Sequence, residues 1–412
     1  MKVSVIGLGY IGLPTATMFA SKRTPVVGVD VSQHVVDTIN RGEIHIVEPD
    51  LDTLVKEVVS NGWLKASLKP EPADAFLIAV PTPFKGDHEP DLAYVESAAR
   101  AVAEVLEPGN IVILESTSPV GTTEKMVGWI SLARPDLRIA GKHEGEVDIH
   151  VAYCPERVLP GKVIQELVNN DRTVGGITPE CARRACDVYR IFVEGELVVS
   201  DARTAEMCKL TENAFRDVNI AFANELSLIC DRLGINVLKL IELSNRHPRV
   251  NILRPGCGVG GHCIAVDPWF IVDKTPELAR MVRTAREVND GKPKWVVEKI
   301  DQALARCEAS GKKRVAVLGL AFKPDIDDLR ESPALHIASE LASREDIELL
   351  VVEPNIQALP PALQSAKLTD LETIKTDADA VVILVAHKQF IEAKDALRTC
   401  GNLIDTAGVC NG

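Results

Sequence analysis

The stretch KVSVIGLGYIGLPTATMFASKRTPVVGVD, residues 2–30, decides the fold of the first part of the chain. It begins with a short apolar run, passes through a glycine turn into a helical segment, and ends on a second apolar run closed by an acid. This order of strand, turn, helix and strand is that of one βαβ unit. The stretch therefore predicts a parallel sheet covered by helices.

The glycine turn of this unit has the spacing of a dinucleotide-binding loop. Gly7, Gly9 and Gly12 would allow a tight turn, close backbone approach to a pyrophosphate and close packing of helix on strand. Asp30 ends the second strand, where a carboxylate can accept hydrogen bonds from the adenosine ribose. A 2′-phosphate would meet a like charge there, and the next residues, VSQH, offer no Arg, so NAD is predicted over NADP. The alternatives are a glycine turn without a ligand and a solvated strand-end acid.

Further apolar runs extend the pattern outward from this unit. FLIAV (76–80), IVILES (111–116), VDIHVAY (147–153) and ELVVSD (196–201) predict more strands of a doubly wound parallel sheet. Residues 204–233 contain no Pro or Gly and have apolar residues at helical spacing, which predicts one long helix. From Arg314 the alternation of strand and helix returns with RVAVLGLAF, ELLVVEP, DAVVILVA and NLIDT.

These patterns predict an α/β protein with two Rossmann-like, doubly wound parallel-sheet domains joined by a long central helix. A chain of 412 residues exceeds what a single hydrophobic core usually serves, which agrees with this division. We expect domain boundaries after residues 203 and 300, so that the parts are 1–203, 204–300 and 301–412.

Composition and charge exclude several classes of partner. The net charge of -13 and the lack of a block of Lys or Arg argue against nucleic acid. The N-terminus leads directly into a strand, no apolar run approaches the length of a membrane span, and we therefore expect a cytoplasmic protein. Ten cysteines are scattered singly with no CxxC pair, which fits a reducing compartment and predicts neither disulfides nor a metal site.

The segment GCGVGGHCIAVDPWF, residues 256–270, is the most unusual in the chain. Its glycines allow close backbone approach and leave amides available to a ligand, and they precede Cys263, with Asp267 four residues later. A thiol with an ordinary pKa of about 8.5 needs positive charge or a helix start to become a reactive thiolate. We interpret Cys263 as the chemical cysteine, and Cys257 and the other eight as packed side chains.

The predicted long helix carries a polar stripe. Lys209, Asn213 and Arg216 follow one another at i, i+4 and i+7. Such a stripe is most often the solvated face of a helix. On a helix expected to be largely buried between domains, however, Lys209 and Asn213 would need hydrogen-bonding partners, which an oxyanion or a substrate hydroxyl could supply.

A series of motifs along nearly the whole chain resembles one family of enzymes. In order they are GLGYIG, AVPTPF, ESTSPVGTT, CPERVLPG, EMCKLTENAFRDVNIAFANE, NRHPRVNI, GCGVGGHCIAVDP and GLAFKPDIDDLRESPA. They are similar to the UDP-glucose/GDP-mannose dehydrogenase family. GEIHIVEPDL, FKGDHEPDL and PERVLPG are most similar to the branch that oxidises UDP-N-acetyl-D-mannosamine.

The resemblance implies a four-electron oxidation of the primary alcohol of a UDP-sugar to a carboxylate, with NAD as acceptor. Cys263 would trap the aldehyde as a thiohemiacetal and carry the acyl group as a thioester that water hydrolyses. By the same resemblance Lys209 would stabilise the alkoxide or take the proton, and Asn213 would share the oxyanion. Asp267 would orient Lys209 and a water. Thr117 and Glu156 would hold water near the thioester, with Glu156 as candidate base.

The resemblance also implies binding roles. In the domain over 1–203, NAD would contact Gly7, Gly9, Tyr10, Ile11, Gly12, Asp30, Thr82 and Thr117, and Arg330 would reach back to it. The UDP-sugar would contact Arg157, Val158, Lys209, Asn213, Arg216 and Gly260, and Lys323 would bind it from the nucleotide-sugar domain over 301–412. His247 and Arg249 would come from the partner subunit of a homodimer built on the long helix of the central region.

Two departures and three alternatives accompany this assignment. RVLPG lacks the second acid that many relatives have after PE, and Ala407 replaces the Lys or Arg that relatives often have after the last strand-end acid.

The same chemistry on UDP-glucose or UDP-N-acetylglucosamine remains open, because discrimination among such sugars rests on a few hydrogen bonds. An epimerase or two-electron dehydrogenase has no use for Cys263, and a non-catalytic sensor has none for the combination of Cys263, Lys209, Asn213 and Asp267.

Overall fold

The structure of the chain, a computed structural model, describes residues 1–159, 161–261, 263–307 and 311–410. These residues form two compact units, Met1–Glu212 and Asn213–Gly412. The boundary between the units falls within one long helix.

The first unit contains a large sheet with helices on both faces. Its strands are β1 (Val3–Ile6), β2 (Val26–Val29), β3 (Leu64–Ser67), β4 (Ala75–Ile78), β5 (Phe84–Lys85), β6 (Glu89–Pro90), β7 (Ile111–Leu114), β8 (His150–Tyr153), β9 (Arg172–Gly176) and β10 (Leu197–Asp201). Its helices are α1 (Gly12–Ser21), α2 (Gln33–Asn40), α3 (Leu51–Ser60), α4 (Ala93–Ala103), α5 (Thr122–Ala133), α6 (Val163–Asn169) and α7 (Pro179–Tyr189).

The strand order of this sheet is β10-β9-β8-β7-β4-β1-β2-β3, and the small hairpin of β5 and β6 stands apart from it. From β3 to β8 neighbouring strands are parallel, in the order of a dinucleotide-binding fold. All residues of β1, β2, β4, β7 and β8 are buried, as expected for a sheet covered on both faces. The predicted Rossmann-like first domain is confirmed.

One edge of the sheet differs from the prediction. Strand β9 pairs antiparallel with β8, and β10 pairs parallel with β9, so the last two strands run against the others. Strand β9, RTVGG, was not predicted, because two glycines in five residues read as a turn rather than a strand. A Cβ at Gly175 would come within 2.6 Å of Ala205 Cβ, and one at Gly176 within 2.4 Å of Ala182 N. The glycines therefore permit close packing of helices on this strand.

The second unit repeats the strand order in shorter form. The helix α8 (Ala202–Leu233), which crosses the unit boundary, is followed by α9 (Val237–Ser244), α10 (Asp267–Lys274), α11 (Arg280–Leu304), β11 (Lys313–Leu318), α12 (Pro333–Ala342), β12 (Ile347–Val352), a 3₁₀ turn (Pro361–Leu363), β13 (Lys367–Leu368), α13 (Leu371–Asp377), β14 (Ala380–Ile383), α14 (Lys388–Glu392), α15 (Lys394–Leu397) and β15 (Leu403–Asp405). The sheet order is β13-β12-β11-β14-β15, and all pairs are parallel. This confirms the second Rossmann-like domain.

The long helix predicted over 204–233 is confirmed as α8, with two more residues at its start. Its second part packs on α11 through buried polar side chains rather than through an apolar surface alone. Asp217 Oδ1 accepts a 2.7 Å bond from Arg286 Nη1, and both side chains are buried. Asn224 Nδ2 donates to Asn289 Oδ1 at 2.8 Å. Among the described residues, no helix combines the length and apolar character needed to cross a bilayer.

Candidate active site

Of the three glycines in the turn between β1 and α1, two are needed for close packing, and the third leaves its backbone accessible. Gly7 has φ +92°, and a Cβ there would lie 2.5 Å from the Ala79 carbonyl oxygen. A Cβ at Gly12 would lie 1.7 Å from the Gly7 carbonyl oxygen, so this glycine allows α1 to pack on the turn. A Cβ at Gly9 would meet no protein atom within 4 Å. Backbone at Gly9 is thus open to the close approach of a phosphate.

Asp30, which directly follows β2, is bonded to this turn. Its Oδ2 accepts from Leu8 N at 3.0 Å, and its Oδ1 accepts from Ser32 N at 2.9 Å. Each carboxylate oxygen has a second lone pair, so both can accept a further bond from a ribose hydroxyl. The residues present therefore fit NAD, with the pyrophosphate at the glycine turn and the adenosine ribose at Asp30.

Two further residues predicted to contact NAD or water lie together beside the turn. Thr82 follows β4 and Thr117 follows β7, and the Thr82 hydroxyl donates to the Thr117 carbonyl oxygen at 2.6 Å. Ser116 Oγ joins the same loops by donating to Val80 O at 2.7 Å. Tyr10 is 41% exposed. These groups lie at the carboxyl ends of parallel strands, where doubly wound sheets bind ligands.

Glu156, the candidate base, lies in a buried ion pair that the sequence did not predict. It follows β8, and its Oε2 lies 3.0 Å from Nη1 of Arg172, whose side chain is also buried. Its Oε1 accepts from Arg157 N at 2.6 Å. Arg172 was missed because β9, the strand that carries it, was not recognised. The pair holds the carboxylate at the start of the loop after β8.

A second buried carboxyl group belongs to the same cluster. Glu115 directly follows β7, is fully buried, and accepts a 2.7 Å bond from the Tyr189 hydroxyl. Burial raises the pKa of Glu115 to about 7, although the positive charge of Arg172 opposes the rise. The Arg172 guanidinium lies over the Tyr189 ring, 4.9 Å from its centroid. Glu115, Tyr189, Arg172 and Glu156 thus form one connected polar cluster in the first unit.

Arg157 and Val158, predicted to contact the sugar, lie in the loop that follows Glu156. The Arg157 guanidinium donates to Glu212 Oε1 at 2.8 Å and also to the Asp171 carbonyl oxygen. Val158 is half-buried and packs against the core of the sheet. These contacts engage the Arg157 side chain within the protein.

Cys263 lies in the second unit and is exposed, whereas Cys257 is buried. The Cys263 carbonyl oxygen accepts from Asp267 N at 2.8 Å, which places the cysteine one turn ahead of α10. Cys257 donates its Sγ–H to the Leu384 carbonyl oxygen at 3.5 Å, and burial raises its pKa to about 12. Cys257 is thus packed as predicted, whereas the chemical role of Cys263 stays a prediction.

The glycines of this loop serve packing more than was expected. A Cβ at Gly260 would lie 2.4 Å from the Glu331 carbonyl oxygen, and one at Gly258 would lie 2.8 Å from Pro333 Cβ. Gly261 has φ +84°. Only Gly256 among the four has no atom closer than 3.9 Å to such a Cβ. Gly258 and Gly260 thus let the loop lie against the 331–333 segment, and the expectation that the amides of this loop face a ligand stays a prediction.

The polar stripe of α8 contributes to both units. Asn213 Nδ2 donates to Asp267 Oδ2 at 2.5 Å, so two of the predicted catalytic residues are bonded to each other in the second unit. Lys209 lies one turn earlier on the same helix, in the first unit, and is half-buried, while Arg216 is exposed. The stripe predicted at i, i+4 and i+7 is thus half-buried at Lys209 and Asn213 and solvated at Arg216.

Residues expected to reach a partner subunit or the nucleotide lie at the surface of the second unit. His247 and Arg249 are exposed, and Arg249 N donates to His247 Nδ1 at 3.3 Å. Lys323 is exposed, and the Arg330 guanidinium pairs with Asp328 at 2.6 Å. Ala407 packs against the core of the second sheet.

The turn after β11 has a backbone conformation similar to that of the first glycine turn, but the acid bonded to it has different partners. Gly319 has φ +91°, close to the φ of Gly7. Glu353, directly after β12, accepts from Leu320 N at 2.7 Å, as Asp30 does from Leu8 N. Glu353 also lies 3.0 Å from His387 Nε2, and both side chains are fully buried.

Comparison with known proteins gives matches along nearly the whole chain. The NAD binding, central and UDP binding domains of the UDP-glucose/GDP-mannose dehydrogenase family match residues 1–193, 203–291 and 316–411. The UDP-N-acetyl-D-mannosamine dehydrogenase of Yersinia pestis is 62% identical over 99% of this chain and 98% of its own. The NDP-N-acetyl-D-galactosaminuronic acid dehydrogenase of Ralstonia nicotianae is 59% identical over 99% and 96%. The structure of the UDP-D-ManNAc dehydrogenase of Pyrococcus horikoshii has a TM-score of 0.89 at 40% identity, covering 99% of this chain and 96% of that one.

The fold, the open glycine turn and these matches together define an NAD-dependent oxidoreductase. Within that class, the chain belongs to the UDP-glucose/GDP-mannose dehydrogenase family. The family, the fold class, the cofactor and the enzyme class predicted from the sequence are thereby confirmed, and the enzyme is a UDP-sugar dehydrogenase.

Proposed function

We propose that this enzyme oxidises UDP-N-acetyl-D-mannosamine to UDP-N-acetyl-D-mannosaminuronate through a thioester on Cys263. The observation that carries the chemistry is the exposed Cys263 one turn ahead of α10, whose first residue, Asp267, accepts a hydrogen bond from Asn213. The choice of sugar is supported by the 62% identity to the Yersinia pestis enzyme of that name over nearly the full length of both chains.

The proposed reaction needs a nucleophile that can leave again. The alcohol loses a hydride and a proton to become an aldehyde, and the Cys263 thiol adds across its C=O bond, sulfur to carbon and proton to oxygen, to give a thiohemiacetal. A second two-electron oxidation converts this adduct to a thioester, and water cleaves the carbon–sulfur bond to release the carboxylate and regenerate the thiol. NAD supplies the electron acceptor for each oxidation, so that two NAD and one water are consumed per sugar.

The other side chains would handle protons and charge. Lys209 stabilises the alkoxide and the oxyanion of the adducts or accepts the proton, and Asn213 shares the oxyanion. Asp267, held by Asn213, orients Lys209 and a water. Glu156 serves as the base for thioester hydrolysis, with Thr117 holding the water. The buried ion pair with Arg172 keeps the Glu156 carboxylate in place for this task.

The proposed binding residues for the two ligands are those that the family resemblance implies. NAD is held by the glycine turn and Asp30, with contacts from Tyr10, Ile11, Thr82 and Thr117 and from Arg330. For the sugar nucleotide we propose Arg157, Val158, Lys209, Asn213, Arg216, Gly260 and Lys323. Because the Arg157 guanidinium is already bonded to Glu212, we assign its sugar contact to the backbone.

We propose further that the enzyme is a cytoplasmic homodimer built on α8. Phe215, Phe222 and Ile229 are 70%, 53% and 48% exposed and recur every seven residues, which gives one apolar stripe on this helix. A second copy of the same stripe is the self-complementary partner of a two-fold interface. His247 and Arg249 would then complete the neighbouring site. The product suits the synthesis of surface polysaccharides that contain uronic acids.

A second candidate is the oxidation of a nucleotide-linked N-acetylgalactosamine sugar. It is favoured by the 59% identity to the Ralstonia nicotianae enzyme. UDP-N-acetylglucosamine and UDP-glucose, the alternatives that sequence left open, belong in the same comparison.

The decisive experiment supplies the purified enzyme with NAD and each of these UDP-sugars and counts NADH formed per sugar. We expect two NADH per sugar and the highest kcat/KM with UDP-N-acetyl-D-mannosamine. Faster turnover of another sugar would overturn the choice of substrate, and one NADH per sugar would overturn the four-electron reaction.

A matched pair of variants tests the nucleophile. Cys263→Ser should bind the sugar and lose turnover, because an ester on oxygen hydrolyses far more slowly than a thioester. Cys400→Ser, at a half-buried cysteine in the second unit, should keep turnover. Mass spectrometry of enzyme quenched during turnover should find a uronyl adduct on Cys263. An active Cys263→Ser variant contradicts the proposed route.

A further inference from the structure

A buried glutamate joins two loops of the first unit that are far apart in sequence. Glu48 lies in the segment between α2 and α3 and is only 5% exposed. Its Oε2 accepts from Gly161 N at 2.9 Å, and its Oε1 accepts from Val163 N at 2.8 Å. Both carboxylate oxygens are therefore used on the backbone that leads into α6.

The segment that Glu48 holds continues the loop proposed to bind the sugar. Glu156 and Arg157 begin that loop, and their ties to Arg172 and Glu212 hold it at its start. The Leu159 amide donates to Glu166 Oε2 at 2.7 Å. Glu48 holds the far end, at Gly161 and Val163. The described parts of the loop, 156–159 and 161–163, are thus each held by buried or half-buried charged side chains.

We infer that Glu48 is a positioning residue for the sugar: by clamping the amides of Gly161 and Val163, it sets the position of Arg157 and Val158 against the substrate. The inference rests on the proposed function, which gives this loop the sugar contacts. The two bonds of Glu48 do not reach the glycine turn or Asp30, so we expect its effect to fall on the sugar.

The chemistry of the contact makes a near-isosteric test available. In Glu48→Gln the amide oxygen can still accept from one of the two backbone N–H groups. The side-chain NH₂ would then face the other N–H, donor against donor, and could not bond to it. The loop must shift at one of its two amides, even though the volume of the side chain is unchanged.

We therefore expect Glu48→Gln to raise the KM for the UDP-sugar by at least tenfold, while the Kd for NAD changes by less than twofold. Glu48→Asp keeps the charge but shortens the side chain by one methylene, and it should give an intermediate KM. The matched control is Glu43→Gln, at an exposed acid of the same segment whose carboxylate pairs with its neighbour Arg41 at 2.8 Å. It should leave both constants unchanged.

The split between the two ligands separates positioning from a general structural role. A sugar KM within twofold of wild type in Glu48→Gln, or an equal loss of NAD affinity, overturns the inference. If Glu48→Gln fails to fold, the sugar KM and the NAD Kd of Glu48→Asp decide by the same criterion. If the wild-type enzyme oxidises a UDP-sugar other than UDP-N-acetyl-D-mannosamine, the proposed substrate fails, and the same KM comparison with that sugar still decides the role of Glu48.

Discussion

Cys257 and Cys263 lie six residues apart in one loop, and their surroundings give them opposite chemistry. Burial against the second sheet raises the pKa of Cys257 to about 12 and keeps it a thiol. Cys263 is exposed and precedes the first turn of α10, where backbone amides favour negative charge. Accessibility therefore supports the proposal that Cys263 is the nucleophile, and the glycines that precede it were the signal in the sequence.

The raised pKa of Glu115 predicts how the free energy of unfolding depends on pH. Its folded-state pKa of about 7 lies above the ordinary value of 4.5, so the folded protein retains a proton that the unfolded chain has already lost. Its contribution to stability is thus fully present below pH 4.5 and is lost as pH rises through 7. We expect the free energy of unfolding of wild type, relative to Glu115→Gln, to fall by roughly 3 kcal/mol between pH 4.5 and 8.

Urea unfolding of both proteins across this pH range measures the difference. Glu104→Gln, at an exposed acid of the same unit, is the control and should follow the wild-type pH dependence. A constant difference between wild type and Glu115→Gln would contradict the buried protonated carboxyl group.

The packing of the glycine-rich loop before α10 predicts that alanine has different effects at two of its glycines, which lie four residues apart. Gly260→Ala would bring a Cβ to 2.4 Å from the Glu331 carbonyl oxygen, so the loop has to move. Because overpacking typically costs 1–3 kcal/mol, we expect a loss of about 2 kcal/mol in unfolding free energy. We also expect at least a tenfold fall in kcat/KM, since Cys263 follows three residues later.

Gly256→Ala provides the matched comparison. No atom lies closer than 3.9 Å to a Cβ at that position, and its unfolding free energy should stay within about 0.5 kcal/mol of wild type. Thermal unfolding and steady-state kinetics of the two variants check the pair. Equal behaviour of both variants would mean that the loop does not pack against the 331–333 segment as described.

The elements themselves were predictable where a pattern is local. Helix α8 contains no Pro or Gly, and β1, β2, β4, β7 and β8 are buried apolar runs, so their existence followed from the sequence. Strand β9 was not predictable, because Gly175 and Gly176 hide it. Its antiparallel direction depends on pairing with β8, which no local pattern encodes.

For the whole molecule, the apolar stripe on α8 predicts that two copies of the chain associate through it. Phe222→Glu places a charge at the centre of the stripe formed with Phe215 and Ile229. Burying that charge against a second copy would be costly without a partner, so the variant should be a monomer in analytical ultracentrifugation. It should also lose sugar oxidation while NAD binding is kept, because His247 and Arg249 would no longer reach a neighbouring site.

Leu132→Glu is the control for this prediction. Leu132 is 75% exposed and lies on α5, away from the stripe. The variant should sediment and turn over as wild type does. A Phe222→Glu variant that remains dimeric, or a monomer with full activity, would contradict a site shared between subunits.

The site was predictable to the extent that its residues lie in motifs. Gly7, Asp30 and Cys263 each had a physical signal in their neighbours, and the roles of Lys209, Asn213 and Asp267 followed from the family resemblance. The residues that hold the loop after β8 carried no such signal. Glu48 and Arg172 are single charged residues whose partners lie 113 and 16 residues away, at Gly161 and Glu156, and only the folded chain brings them together.

The carboxylate after the second strand is used differently in the two halves of the chain. Asp30 retains lone pairs that can accept hydrogen bonds from a ribose. Glu353 instead pairs with His387, and both of those side chains are fully buried. The second half therefore lacks, in its described residues, the acid with which the first half would recognise a dinucleotide. If two equivalents of NAD are reduced per sugar, they must bind and leave one after the other at the glycine turn of the first unit. The acyl group would meanwhile stay tethered to Cys263, and rising NADH should slow the exchange.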